Sequence, residues 1–372
     1  MKREGARKTD RVRAEATQSE RGKRAMRKMR RVLGSTALGG VLALAWGVGP
    51  AWSQIEVSVG GFARWAVAFG DLGDVVGATN RRSLYFRNDT EVFVTFRGKD
   101  DATGTEYGAK IELEADTNAL ANADETWLWI KGSWGELRLG DEDGAADANK
   151  VGGFSVAAGT GGIDGMAEVA PVPIFVTNSG DATKIRYDSP SFGGLRVSVS
   201  YTPDSGQGGN ATFPFSNVPG NLEHWIEGAL VFSGGLGPVD VRASVIGSMA
   251  RFEVDPLGNG NDFRAIGGGL RVGYGAVSAA AGYFVEKNDQ GGDRKVFNAG
   301  LAYSFGIADV SLTMALADPD GPSNPRSVVL SGTLGLFPGV ALQGDVAVFE
   351  RDVGLGGLDS GVTGVVRLHI AG

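Results

Sequence analysis

The chain has no cysteine among its 372 residues and only two histidines, His224 and His369. The first absence excludes a disulfide framework and thiolate chemistry. The second leaves too few imidazoles for most histidine-based metal sites. A histidine-activated nucleophile also lacks a basis, because neither histidine has a persuasive serine partner in strand order, so no enzymatic activity and no cofactor is expected. Proline is scarce at 13 residues, whereas glycine reaches 60 and hydrophobic residues 42%. Such a chain is too apolar and periodic for disorder and too rich in glycine for a helical protein.

The first 53 residues differ from the rest. A basic lead ending RKMRR is followed by the apolar run VLGSTALGGVLALAWGVG and then by AWSQ, with small residues at 51 and 53. This is the order of a secretory signal, with cleavage expected after Ser53 and a mature N-terminus at Gln54. The weaker alternative is a membrane anchor, which the glycine content and the cleavage-like end disfavour. Residues 1–25 lengthen the lead beyond the ordinary, and a start at Met26 or Met29 would give a signal of usual length. Residues 1–53 hold 13 of the 36 basic side chains but only 4 of the 43 acidic ones, so residues 54–372 carry a net charge of −16. Nucleic acid is therefore not an expected partner.

From residue 55 onward the dominant pattern is alternation with a period of two, the signature of strands. In TKIRYD, Ile185 and Tyr187 oppose Lys184, Arg186 and Asp188; in LRVSVSY, Leu195, Val197, Val199 and Tyr201 oppose Arg196, Ser198 and Ser200. The alternation predicts about sixteen strands, near 55–69, 84–97, 105–116, 124–133, 135–140, 182–188, 194–202, 223–233, 238–250, 263–274, 276–287, 295–304, 308–317, 326–336, 339–350 and 360–370. Every second connection is tight and carries an aromatic (Phe192, Phe232, Tyr274, Phe305, Phe337), while the others are longer and polar. A soluble sandwich has no reason to segregate its turns in this way. A membrane barrel has one: short turns at an interfacial aromatic girdle on one side and longer loops on the other.

Closure into a ring leaves no unpaired edge, which lets a sheet cross a bilayer. Lipid is then expected against Val241, Val245, Met249, Val310, Leu312, Met314, Leu316, Val346 and Val348. Asp240, Arg242, Ser244, Ser248, Gln343 and Asp345 line the opposite face, which is expected to be wet. Trp127, Trp129 and Trp134 cluster in one hairpin. Register points two of them inward, as a sugar-stacking track would require, but a girdle or subunit-contact role is preferred.

Three stretches, GTEYGAKIELEAD (104–116), ETWLWIKGSWGELRLGDEDG (125–144) and ATKIRYDSPSFGGLRVSVSYTP (182–203), resemble the general-diffusion porins of Gram-negative outer membranes. The resemblance covers the mature chain in layout and is motif-specific between about 90 and 203. It implies an all-β transmembrane antiparallel barrel of sixteen strands, usually trimeric, with its long third loop folded into the lumen. It also implies passage of ions and small hydrophilic solutes through an outer membrane. Porins commonly end in an aromatic residue, whereas this chain ends RLHIAG; either Leu368 and Ile370 serve as lipid-facing closure or the assembly signal is weak.

The longest stretch without alternation, 141–181, is the expected constriction loop, since long structureless loops in compact domains are usually functional. It would bring the carboxylates of Asp141, Glu142, Asp143, Asp147, Asp164 and Glu168 to the narrow point. On the wall, alternation points Arg64, Arg97, Lys110 and Arg138 inward, and Arg87 joins them when the second strand keeps its register. Glu56, Glu112 and Glu114 share that face. Opposed charges across a narrow aqueous gap discriminate ions by sign, although any one arginine could merely pair with a neighbouring acid. No metal site is expected. DEDGAADAN places Gly144 fourth where a calcium loop of the EF-hand type needs glycine sixth, which leaves a loose calcium site among loop carboxylates as the minor alternative. These features predict a diffusion pore with a modest cation preference; the alternative is a channel selective for an anion or a sugar.

Overall fold

The computed structural model describes residues 55–72, 83–116, 123–206, 217–255, 258, 260, 262–319, 324–352 and 358–372. The signal read at 1–53 and its cleavage junction with Gln54 lie outside the described residues. Sixteen strands form one closed antiparallel sheet, each paired with its sequence neighbours and the last with the first. The opening strands are β1 (Glu56–Leu72), β2 (Leu84–Asp100), β3 (Thr105–Glu114), β4 (Thr126–Gly132) and β5 (Gly135–Asp141). After a long connection come β6 (Thr183–Asp188), β7 (Leu195–Asp204), β8 (Leu222–Leu236), β9 (Val239–Phe252) and β10 (Asp262–Tyr274). The ring continues through β11 (Val277–Asn288), β12 (Arg294–Ser304) and β13 (Ala308–Pro319). It closes with β14 (Arg326–Phe337), β15 (Val340–Asp352) and β16 (Leu358–Ala371).

The strands are uneven in length. β4 and β5 have 7 residues and β6 has 6, whereas β1 and β2 have 17 each. One side of the barrel is therefore a low wall. The tight turns all fall at one rim, where Phe192, Tyr274, Phe305 and Phe337 are exposed, as a girdle at a membrane interface requires. The only interruption of β8 is at His224, whose φ of 54° accompanies a register shift between Glu223 and Ile226.

Two faces separate as the two-residue period demands. Val245, Met249, Leu312, Leu330, Val346 and Val348 are exposed outward, while Ser244, Ser248, Ser311, Ser331 and Asp345 are buried inward. Val241 departs from the expectation: it is covered, with only 9% of its surface accessible.

The expectation of a uniformly wet interior needs a larger correction. Trp225, Ile246, Phe263, Phe284, Val296, Val329 and Val365 are inward and fully buried, and they form one cluster with Ile163, Val169, Val172, Phe175 and Val176 from the connection between β5 and β6. Each such side chain contributes roughly 1.5–3 kcal/mol on leaving water. The physical reason is that part of the sheet is covered on both faces. Its strands then read as apolar runs, as in Tyr283, Phe284 and Val285, where alternation alone cannot assign a polar side.

Candidate functional site

The connection 142–182 is held by inward-facing side chains of the long strands. Its backbone N–H groups at Gly153, Ala158, Gly159, Thr160 and Ile163 donate to Asn298, Ser311, Thr333, Asp345 and Thr313, over 2.6–3.2 Å. Thr177 and Ser179 donate to Glu286 and Glu227. A short side chain on each strand thus satisfies backbone groups that an irregular segment would otherwise leave unpaired. Glycine makes the seat. A Cβ at Gly269 would lie 1.9 Å from the carbonyl oxygen of Val151, and one at Gly300 would lie 2.4 Å from that of Gly153. Two single 3₁₀ turns, Gly153–Val156 and Gly162–Asp164, are its only helical elements.

The loop acids expected together at one point are distributed. Asp141, the last residue of β5, accepts from the Thr183 hydroxyl at 2.5 Å. Glu142 is buried between two guanidinium groups, 3.1 Å from Arg138 and 2.9 Å from Arg186. Burial raises its pKa, and Arg186 and Arg138 pull the other way. Asp147 pairs with Lys150 at 2.5 Å. Asp164 is exposed to the interior space; enclosure by protein raises its pKa and Lys150 opposes this. Glu168 reaches the opposite wall, where Tyr85 donates to its carboxylate and Arg87 lies 3.3 Å away, while its backbone carbonyl accepts from Thr363 at 2.6 Å.

Asp143 belongs to a separate acidic group. One carboxylate oxygen from each of Glu125, Asp143 and Asp181 lies within 4.8 Å of the others, an oxygen-only set of the kind a hard divalent cation takes. Glu91, Glu114 and Asp124 form a second such set. Burial, followed by the hydrogen bond and charge of Asp147, pushes Asp143 up to about 8; burial and then Glu112 push Glu125 up to about 7.

On the wall, all five expected basic residues face inward. Arg64 lies 3.0 Å from Asp89, donates to His369 Nδ1 at 3.2 Å, and stacks on Phe62 at 3.5 Å. Arg87 meets Glu168, Lys110 pairs with Glu112, and Arg138 bridges Glu136 at 2.5 Å and Glu142. Arg97 is exposed and has no carboxylate within ion-pair distance among the described residues. Sequence reasoning missed Arg367, which lies across from Ala66 on the face of Arg64 and donates to Gln343 at 2.8 Å. It missed Lys150 as well. The signal for Arg367 was its two-residue spacing from Val365 and His369; for Lys150, in an irregular loop, there was none. The tryptophans also split. Trp134 sits at the rim, stacked with Tyr187, as a girdle residue would, but Trp127 and Trp129 point inward beside Arg138. Leu128 and Ile130 take the outward positions between them.

A family model described as Gram-negative porin matches residues 39–354. An uncharacterised protein of Rickettsia typhi is 32% identical over 160 residues, 35% of this chain, and the match spans 36% of that protein's length. Among solved structures, an anion-selective porin from Comamonas acidovorans has the same fold, with a TM-score of 0.62 and 20% identity over 86% of this chain and all of that one. A porin refined at 1.8 Å gives 0.62 and 16% over 85% of this chain and all of its own. A variant of the Rh. blastica porin gives 0.58 and 14% over the same shares.

Proposed function

The chain belongs to the Gram-negative porin family, outer-membrane diffusion channels by family and fold, and from that premise we propose a water-filled pore for ions and small hydrophilic solutes with a modest cation preference. The connection 142–182 is its constriction, and water passes between this loop and the inward wall of β1–β5. The observation that carries this reading is the contact of Glu168 with Tyr85 and Arg87, which sets a loop carboxylate against the basic wall. Charges of opposite sign then border one aqueous gap, and the excess of carboxylates in residues 54–372 tips the field toward cations.

Residues 1–53 act as the export signal. The outer face of β2–β5, which carries an apolar groove of about 410 Å³ between Phe96, Tyr107, Leu128 and Leu139, is the subunit contact of a homotrimer. N-terminal sequencing of the membrane form and its native mass check these two statements.

Single-channel recording of the refolded barrel under a KCl gradient tests the pore. Large ohmic steps with a cation-selective reversal potential are expected, and Asp164→Asn with Glu168→Gln should weaken the selectivity. An anion-selective reversal would favour the second reading, a channel selective for anions or sugars. Support for that alternative comes from the convergence of Arg64, Arg87 and Arg367 on one wall and from the anion-selective porin among the structural neighbours.

A further inference from the structure

Below the loop, on the tight-turn side of the low wall, a cavity of about 400 Å³ is lined by Arg97, Lys110, Trp127, Trp129, Lys131 and Arg138, together with Thr95, Glu106 and Glu136. Its geometry follows from the register. Arg97 pairs with Gly108, Gly108 with Trp129, and Trp129 with Arg138, so one row across β2–β5 reads arginine, gap, tryptophan, arginine. The gap is occupied by the indole: a Cβ at Gly108 would lie 2.8 Å from the Trp129 ring. The next row places Lys110 beside Trp127, and the Arg138 guanidinium covers the Trp127 ring at 4.4 Å.

The charges in this cavity are not equivalent. Glu136 engages Arg138 at 2.5 Å and Lys131 at 3.9 Å, and Glu112 engages Lys110, whereas Arg97 has no carboxylate partner among the described residues. An Arg97 guanidinium without a carboxylate partner, beside an indole that leans across Gly108, suits an anion that also has a flat apolar face.

We propose that this cavity is a binding subsite for a small carboxylate carrying one six-membered ring, with the carboxylate on Arg97 and the ring against Trp129. The inference rests on the channel reading for its access route and adds to it a ligand class. Neutral solutes lack the group that Arg97 takes, and inorganic anions lack the face that Trp129 takes.

Tryptophan fluorescence of the refolded barrel in detergent tests binding independently of conductance. Titration with sodium glucuronate and with sodium benzoate should show saturable quenching by at least one of them, with neither glucose nor chloride matching it. Arg97→Ala and Trp129→Ala should each weaken that binding by about tenfold, and Trp129→Phe should retain most of it. Heat-modifiable migration in gels confirms that each variant is folded. Preference for glucuronate identifies a sugar acid as the ligand, and preference for benzoate an aromatic acid. Quenching by neither probe, or quenching unchanged in both alanine variants, overturns the subsite. Current steps in KCl separate the two readings: normal conductance without probe binding removes the subsite and leaves the channel, and binding without conductance does the reverse.

Discussion

The two halves of the barrel interior use the same strand geometry to opposite ends. On β8–β15 the inward face beside the connection is dry, with Trp225, Phe263, Phe284 and Val296 packed under it and the Ser311 and Thr313 hydroxyls accepting from its backbone N–H groups, while the exposed Asp240–Arg271 pair keeps the tight-turn end charged. On β1–β5 the inward face is charged and open, with Arg64, Arg87, Arg97, Lys110 and Arg138 spread over it. Strand length does not follow this division: β4 and β5 have 7 residues but β1 and β2 have 17 each, against 11–15 in β8–β16. A barrel can therefore build a core without filling its lumen: one wall is converted to a packed floor for a loop, and the other is left to water.

The largest expected effect is at the seam between the halves. Glu142→Gln leaves Arg138 and Arg186 without the carboxylate they share, and loss of one partner of a buried pair costs about 3–5 kcal/mol. Urea unfolding of the detergent-refolded barrel measures it. A smaller loss, or none, would mean that water already compensates these guanidiniums and that the seam belongs to the wet half.

Phe284→Ala should cost a similar ~3–5 kcal/mol through a cavity under Phe175, whose ring meets it edge-on at 4.8 Å. Tyr283→Ala, one residue away on the outward face, should cost clearly less in the same assay. Equal costs would erase the distinction between floor and outer surface.

Gly300→Val places a side chain where the Gly153 carbonyl lies, so the loop must lift. Overpacking of this kind costs ~1–3 kcal/mol and, with the connection as the proposed constriction, should be accompanied by larger single-channel steps. Unchanged step size with an intact barrel would place the narrow point elsewhere.

Acidity gives a finer test. Asp143, raised to about 8, and Glu125, raised to about 7, are protonated in mild acid and ionise as the pH rises through those values. Both are carboxyls raised above their ordinary values of about 4, so the folded form is favoured below that pH and loses this contribution as the pH rises to about 8. The lumen gains negative charge over the same interval, and the reversal potential in a KCl gradient should move toward potassium. A reversal potential flat from about pH 5 to 9 would separate these acids from the conduction path. The smallest effect is expected at the rim: Arg264→Ala breaks an exposed pair with Asp262 and should change stability by less than about 1 kcal/mol.

Most of the barrel was legible in alternation. The strand order, the tight turns at Phe192, Tyr274, Phe305 and Phe337, and the inward register of Arg64, Arg97, Lys110 and Arg138 follow from a period of two, which assigns faces without knowledge of what covers them. The same rule points Trp127 and Trp129 inward, yet a preference for the rim, sound for Trp134, misplaced them. The arrangement of the loop acids was not legible. Asp147 with Lys150, Glu142 with Arg138 and Arg186, and Glu168 with Arg87 are contacts made by an irregular segment, and no periodicity relates a loop residue to the strand it will meet.

By itself the sequence determined a closed sheet of about sixteen strands with an apolar exterior, because backbone hydrogen bonding in a bilayer allows a sheet no free edge and the side-chain period allows only two faces. Tertiary structure alone decided which stretch of the inward face is dry and which carboxylates keep a counter-charge. Both depend on where the connection 142–182 comes to rest, and that is set by the glycines at 269 and 300, the hydroxyls of Ser311, Thr313 and Thr333 along β13 and β14, and the acids of β8 and β11 acting together across the barrel.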